Sequence, residues 1–201
     1  MKKNEYHLSR LLRSEVLETR NLLSAMPLTP DLTQEEPAAY FSFDSDEMAG
    51  TLTGGVLVEK GANDGALQLD GVDDYFCLTE IENLNIQGEI TLAAWIKPES
   101  VSGIQDIIAH GYTRNPNAEV FLRINNGQYQ VGSWNGTEHF ASYDIPESDV
   151  GEWVYLCGTY DGAQWHLYRN GEEVASVNSS VGAVAVESDW SVGSSEHLPR
   201  P

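Results

Sequence analysis

The stretch from residue 121 to residue 143 alternates aromatic and polar side chains of the types that bind sugars. A sugar ring offers C–H faces that stack on tryptophan or tyrosine, and hydroxyls that hydrogen-bond to amide, guanidinium and imidazole groups. The residues that we predict to share one ligand-binding surface are Phe121, Arg123, Gln130, Trp134, His139 and Tyr143. The alternative interpretation is an ordinary solvated sheet face with scattered aromatic residues.

Two Asn-Gly pairs predict the turns and strands that position these side chains. Asn-Gly favours a two-residue type I′ turn, because both central residues of that turn need a positive φ. The pairs at 126–127 and 135–136 therefore predict a three-stranded antiparallel meander over residues 119–143.

The turns also predict which residues lie opposite one another. Counting outward from them places Leu122 opposite Val131, Ile124 opposite Tyr129, and Val131 opposite Phe140. Leu122, Ile124, Val131 and Phe140 then share the face that points to the core. The predicted ligand-binding residues lie on the other face.

A third Asn-Gly pair, at 170–171, predicts a hairpin near the end of the chain. Counting outward from this turn gives the pairs Arg169–Glu172, Leu167–Val174 and Trp165–Ser176. Leu167, Val174 and Trp165 then share one face, so the ribbon is predicted to be half-buried.

Histidines and cysteines carry no recognisable reactive or zinc-binding pattern. Four of the five histidines fall on separate segments without metal-ligand spacing, and they are interpreted as surface or ligand-facing groups. No serine elbow and no motif around a catalytic cysteine occurs. Cys77 and Cys157 are interpreted as two separate buried thiols, and the alternative is one disulfide bridge in an exported chain.

The charge is strongly acidic and unevenly distributed. The formal net charge is -20, and residues 1–25 hold five of the 11 Lys and Arg but only three of the 31 Asp and Glu. A surface this acidic repels nucleic acid and anionic lipid, so both are excluded as main partners. No run approaches 18 apolar residues, which predicts no membrane insertion.

The N-terminal residues differ in character from the rest of the chain. Residues 1–25 begin basic but lack the continuous apolar region of an ordinary secretory signal. The segment "EVLETRNLLSA" at 15–25 resembles one that opens many large bacterial extracytoplasmic proteins, which implies export. The alternative is a frayed amphipathic helix. The acidic, proline-bearing stretch 26–37 is interpreted as a linker to a folded domain at 38–201.

From residue 38 onward the sequence predicts an all-β domain. Around a dozen strand-length runs are separated by Gly, Asn and Asp at short intervals, and no segment shows helical periodicity. This pattern is typical of a two-sheet antiparallel sandwich or jelly roll.

Three segments resemble the laminin-G-like, concanavalin A-like jelly-roll family. They are "GALQLDGVDDYFCLTE" at 65–80, "ITLAAWIKPES" at 90–100 and "EWVYLCGTYDGAQWHLYRNGEEVAS" at 152–176. The resemblance implies a secreted or surface module that binds carbohydrate or protein, often with a structural calcium ion. It implies that Trp95 and Trp153 lie in the core and that Asp161-Gly162 is a turn.

The family's closing strand has no match in this sequence. The resemblance implies that this strand pairs with the first one, "AAYFSFD" at 38–44, which would otherwise be an exposed edge. The sequence is therefore expected to be a C-terminally incomplete domain, and the alternative is that another chain or a swapped segment supplies the strand.

The resemblance also bears on calcium and on catalysis. Asp44 is the residue that would serve as a calcium ligand, whereas Asp70, Asp73 and Asp74 in "LDGVDDY" are interpreted as turn residues. The catalytic branch of the family uses Glu-x-Asp-x-Glu on one strand, and that triplet does not occur here. We therefore expect a non-catalytic extracytoplasmic carbohydrate-binding or adhesion module, with a glycan or a cell-surface protein as partner and other domains of a larger protein as further contacts. The alternatives are a protein-interaction sandwich without sugar affinity and, third, a glycoside hydrolase.

Overall fold

The computed structural model describes residues 8–11, 37–44, 50–62, 64–78, 84–112 and 118–194. These residues form fourteen β-strands and one short 3-10 turn, Glu147–Asp149. In chain order the strands are β1 (Leu8–Leu11), β2 (Thr51–Thr53), β3 (Val56–Gly61), β4 (Asp64–Leu69), β5 (Tyr75–Leu78), β6 (Ile90–Lys97), β7 (Ile104–Tyr112), β8 (Ala118–Asn125), β9 (Gln128–Trp134), β10 (Glu138–Asp144), β11 (Val154–Tyr160), β12 (Gln164–Arg169), β13 (Glu172–Asn178) and β14 (Trp190–Val192).

The strands build two antiparallel sheets that pack as a sandwich, which confirms the predicted fold class. Sheet A has the order β13-β12-β11-β6-β1-β4-β3, and sheet B has the order β10-β9-β8-β7-β14-β5-β2. Along β6 every second residue, from Ile90 to Ile96, is buried in the core. The period of two arises because successive side chains of a strand point to opposite faces. Below, the face of a sheet turned away from the other sheet is called its outer face.

Two of the three Asn-Gly turns have the predicted form. Asn126 and Gly127 have φ of 46° and 84°, and Asn170 and Gly171 have φ of 51° and 85°. Both pairs are therefore two-residue turns with positive φ at both central positions. The predicted pairs Leu122–Val131 and Ile124–Tyr129 are confirmed.

The third turn is longer than predicted, and this changes the register of β10. Trp134 pairs with Glu138, so the loop has three residues, 135–137, rather than two. Val131 consequently lies opposite Ala141, and the predicted pairing with Phe140 was wrong. A slip of one residue exchanges the two faces of a strand. Phe140 therefore lies on the outer face of sheet B.

The hairpin β12–β13 contains a β-bulge that the sequence did not predict. Arg169 pairs with Glu172 as expected, but the register shifts between Leu167 and Tyr168. Because of this extra residue, Leu167 pairs with Ala175 instead of Val174, and Trp165 pairs with Val177 instead of Ser176. The core positions of Trp165 and Leu167 are nevertheless confirmed, since both are fully buried.

An N-terminal strand lies inside sheet A. β1 pairs antiparallel with β4 on one side and with β6 on the other. For residues 8–11 the amphipathic-helix interpretation was therefore wrong. Without β1, the facing edges of β4 and β6 would leave backbone donors and acceptors unsatisfied. An extended segment between the two strands satisfies these groups. The proposed export segment at 15–25 and most of the linker lie outside the described residues.

The segment 38–44 does not form the exposed edge strand that we expected. It adopts no strand, and the side chains of Phe41 and Phe43 are buried against Phe76 in the core. Aromatic burial, rather than sheet pairing, places this segment.

The two cysteines are free and buried, so the disulfide alternative was wrong. Cys77 pairs with Ser191 on the outer face of sheet B, and Cys157 pairs with Ala93 on the outer face of sheet A. The whole sandwich, with sheets about 10 Å apart, separates the two thiols. Burial raises the pKa of both thiols to about 11, and the Asp189 carboxylate also contributes at Cys77.

The tryptophans expected in the core are placed less deeply than expected. Trp95 alternates with the core residues Ala94 and Ile96, so it lies half-buried on the outer face of sheet A, where its ring packs on Tyr155 at 5.4 Å. Trp153 is half-buried and packs against the core.

Candidate functional site

The candidate site is the outer face of sheet B where strands β7 to β10 lie side by side. Cross-strand pairing aligns Asp106, Arg123, Gln130 and Ser142 in one row across the four strands. Residues directly opposite in an antiparallel pair share a face, so this row crosses the middle of the outer face, where Asp106, Arg123 and Gln130 are each at most 6% exposed.

Arg123 is held in the centre of this surface by three neighbours. Its Nε donates to Gln130 Oε1 at 3.0 Å, and its guanidinium lies 3.7 Å from the centroid of the Phe121 ring. Its Nη1 also lies 3.5 Å from Glu119 Oε2. Hydrogen bonds, cation–π contact and ion pairing together fix one orientation of the guanidinium.

Glu119 is the residue of this cluster that sequence reasoning missed. It is only 2% exposed, and it lies on the same face as Phe121 and Arg123 because the three alternate along β8. Burial raises the pKa of Glu119 to about 8, with a further contribution from Asp106 and an opposing one from Arg123. The signal in the sequence was the i, i+2, i+4 spacing along a single strand.

The titration of Glu119 predicts how stability depends on pH. The pKa of Glu119 in the fold lies above its ordinary value of 4.5, so the folded protein binds more protons than the unfolded chain between those values. The free energy of unfolding therefore falls as the pH rises from about 4.5 to about 8. Glu119→Gln removes this titration, and the fall in the free energy of unfolding between pH 5 and pH 9 should shrink by about 4 kcal/mol.

Urea unfolding at a series of pH values measures this effect. Glu172→Gln, an exposed glutamate on sheet A, is the control and should retain the wild-type pH dependence. Equal pH dependence in Glu119→Gln and the wild type would show that Glu119 ionises normally in the fold.

A ladder of amide groups continues the surface from its centre to one edge. Asn125 Nδ2 donates to Gln130 Oε1 at 3.3 Å, and Gln128 Nε2 donates to Asp144 Oδ1 at 2.8 Å. Gln128, Asn125 and Asp144 occupy one cross-strand row and are at least partly exposed. These side chains offer donors and acceptors of the kind that hydroxyl groups need.

Aromatic rings lie on the opposite side of the Arg123 row. Phe121 and Phe140 pack at 6.4 Å, and the half-buried Trp134 lies beside Glu138 at the margin of the surface. The indole Nε1 of Trp134 is buried without a hydrogen-bond partner among the described residues. The ring thus lies on the same face as the polar groups, at the margin of the surface.

Four of the six predicted site residues lie together, and two do not. Phe121, Arg123, Gln130 and Trp134 share the outer face, as predicted. His139 and Tyr143 were wrongly assigned to this face, because the three-residue loop shifts β10 by one position. His139 pairs with Ser133 and its imidazole contacts Thr137, whereas Tyr143 pairs with Tyr129 and packs against the core. Whether the four bind a ligand remains a prediction.

The acidic residues considered for calcium behave differently from one another. Asp44 Oδ1 accepts a hydrogen bond from Gly65 N at 2.7 Å, and no described group of three metal-ligating side chains includes it. Asp46 and Glu47, its neighbours in sequence, lie outside the described residues. The calcium site at Asp44 therefore stays a prediction.

Asp70, Asp73 and Asp74 converge, with their carboxylate oxygens within 4.8 Å of one another. Their carboxylates also cap the turn: Asp70 Oδ1 accepts from Val72 N, and Asp74 Oδ2 accepts from Asp70 N. These bonds support the interpretation of the three as turn residues.

A concavity lies beside His110 and Trp190. It has a volume of about 390 Å³ and is lined by residues of the 84–85 and 186–190 segments, together with Leu78 and His110. His110 stacks on Trp190 at 4.5 Å, and its Nε2 lies 2.8 Å from Ser188 O. These two contacts of the imidazole hold the 186–190 segment against β7.

The family of the chain follows from sequence and fold together. Residues 70–200 match Laminin_G_3, which is described as the concanavalin A-like lectin/glucanases superfamily. The chain belongs to this superfamily. A search of the curated proteins finds no match. Among the described residues of this concanavalin A-like chain, no helix has the length and apolar character to cross a membrane.

Several solved structures are similar to this concanavalin A-like chain. One is the CBM40 domain of the Ruminococcus gnavus IT-sialidase bound to α2,3-sialyllactose, with 15% identity, a TM-score of 0.50, and coverage of 71% of this chain and 78% of that one. Domain 4 of AbnA, a GH43 extracellular arabinanase from Geobacillus stearothermophilus, in complex with arabinotriose, has 17% identity, a TM-score of 0.48, and coverage of 71% and 72%. Domains LG4-5 of the mouse laminin α1 chain have 17% identity, a TM-score of 0.48, and coverage of 59% of this chain and 32% of that one.

Proposed function

We propose that this protein is a non-catalytic, extracytoplasmic module that binds carbohydrate through the outer face of strands β7 to β10. The observation that carries the proposal is that Trp134, whose cross-strand neighbour is Glu119, lies on the same sheet face as the Arg123–Gln130 hydrogen-bonded network. An aromatic platform next to fixed polar groups matches the alternating apolar and hydroxyl surfaces of a sugar.

The environment of the buried carboxylates supports the non-catalytic part of the proposal. A glycosidase needs one carboxylic acid that reaches the leaving-group oxygen and a second carboxylate across the bond. Glu119 is almost inaccessible and is ion-paired with Arg123 within its own strand. That position suits a group that holds an arginine rather than one that protonates a substrate.

Replacement of Trp134 tests the proposal directly. Trp134→Ala should weaken binding to a glycan that the wild type retains by about 5- to 150-fold, because stacking on an aromatic side chain contributes roughly 1–3 kcal/mol. The wild type is first screened by affinity electrophoresis in gels that contain galactan, mannan, arabinan, dextran or cellulose derivatives. Calorimetry with the retained glycan then gives the dissociation constants.

Trp95→Ala is the matched control. Trp95 is also a half-buried tryptophan on an outer sheet face, but it belongs to sheet A. It should leave glycan binding within twofold of the wild type. Equal losses in the two variants, or retention of no glycan by a folded wild type, would contradict the proposal.

A further inference from the structure

The charge on the candidate surface distinguishes between classes of glycan. The residues of β7 to β10 whose side chains lie on the outer face include four acids, Asp106, Glu119, Glu138 and Asp144. The same described residues include one base, Arg123. Asp106 and Glu119 are at most 6% exposed, so the carboxylates that a sugar would meet are those of Glu138 and Asp144.

Arg123 does not offset this excess toward a ligand. Its Nε is committed to Gln130, its Nη1 pairs with Glu119, and its cross-strand neighbour on β7 is Asp106. A guanidinium with carboxylates on two sides has its charge compensated within the protein. An anionic sugar would have to compete with these carboxylates for it.

Protonation of Glu119 does not reverse the balance. The pKa of Glu119 is raised to about 8, so this residue is largely neutral at pH 7. The exposed carboxylates of Glu138 and Asp144 remain charged, whereas the guanidinium of Arg123 is buried. Glu138 and Asp144 are exposed at the margins, where a polymer chain that extends beyond the centre would pass. The formal net charge of -20 for the whole chain adds long-range repulsion of the same sign.

From this arrangement we infer that the surface selects uncharged glycans and rejects sulfated, sialylated and uronic-acid glycans. The inference rests on the proposed function and specifies its ligand class. Like charges brought together at an interface oppose binding of the wrong partner, so the acids act as selectivity determinants.

Paired probes with one backbone and two charge states test the inference. The pairs are dextran with dextran sulfate, hydroxyethylcellulose with carboxymethylcellulose, and galactan with its C6-oxidised derivative. For each neutral probe that binds, the anionic partner should bind at least about tenfold more weakly at about 50 mM salt. The difference should shrink at about 0.5 M salt, because the charges are screened.

Two charge-reversal variants locate the effect. Glu138→Lys should lower the ratio of the affinity for a neutral probe to the affinity for its anionic partner by several fold. The reason is that it adds a cation beside Trp134. Glu172→Lys changes the net charge equally but lies on the hairpin of sheet A, and it should leave the ratio at the wild-type value.

The outcomes separate the two proposals. Tighter binding of an anionic probe than of its neutral partner would overturn the inference and leave the proposed function standing. Equal narrowing by the two variants would also overturn it, because selectivity would then follow net charge alone. Failure of every probe to bind folded protein would overturn the proposed function itself.

Discussion

Replacing Asp149 with alanine is expected to lower the free energy of unfolding by about 3–5 kcal/mol. Asp149 is 1% exposed and lies in the 3-10 turn between β10 and β11. Its carboxylate accepts hydrogen bonds from Arg169 Nε at 2.7 Å, from Arg169 Nη2, and from the Tyr129 hydroxyl at 3.1 Å. The alanine variant would leave a partly buried guanidinium and a buried hydroxyl without their acceptor.

Equilibrium unfolding in urea measures this loss, and Glu147→Ala is the matched control. Glu147 belongs to the same turn but is exposed, so its removal should cost less than about 0.5 kcal/mol. The double variant Asp149→Leu/Arg169→Met should be more stable than Asp149→Ala, because no charge then remains buried. A loss below about 1 kcal/mol for Asp149→Ala would show that the ion pair between the turn and β12 contributes little to the free energy of unfolding.

Replacing Gly158 with valine is expected to cost about 3 kcal/mol. Gly158 lies on the core face of β11 opposite Val131 of sheet B, and a Cβ atom at Gly158 would lie 2.2 Å from Val131 Cγ2. The two backbones are fixed in their sheets, so the added atoms must displace Val131 or separate the sheets. Of the two strands in contact, β9 carries part of the candidate surface, and β11 of sheet A packs behind it.

A double-mutant cycle shows whether the cost comes from this contact. Val131→Ala makes room for the new side chain, so Gly158→Val should cost at most half as much in that background as in the wild type. Unfolding free energies of the four proteins give the coupling. Additive effects would show that the loss arises elsewhere, for example from the backbone of β11.

Local signals in the sequence predicted most of the meander but not the register between β9 and β10. Asn126-Gly127 directs a two-residue turn, and the pairs next to it were correct. Asn-Gly at 135–136 instead lies in a three-residue loop in which only Gly136 has a positive φ, of 105°. Both loops accept the same dipeptide, so sequence spacing alone does not distinguish them.

Features that depend on distant parts of the chain were not predictable in the same way. The bulge between Leu167 and Tyr168 leaves no local pattern, since an extra residue is inserted into an otherwise regular alternation. Strand β1 occupies its position because β4 and β6 leave a gap, and those strands lie more than fifty residues away. The proximity of the Glu119 and Asp106 carboxylates, which raises the pKa of Glu119, likewise depends on the pairing of β7 with β8.

The placement of the four site residues on one face was nevertheless predictable. Phe121 and Arg123 alternate on β8, Gln130 and Trp134 alternate on β9, and one correctly predicted turn joins the two strands. His139 and Tyr143 were misplaced because their strand begins after the misjudged loop. The error therefore lies in one loop length rather than in the principle of alternation.

Mapping a bound glycan by NMR tests the central claim most directly. A neutral oligosaccharide of a retained polysaccharide is titrated into isotope-labelled protein while backbone amide and indole shifts are followed. Binding through the outer face of sheet B predicts the largest changes at the Trp134 indole and at the amides of Gly132, Phe140 and Gln130. Changes centred on Trp95 and Tyr155 of sheet A, or on the cavity beside Trp190, would contradict it.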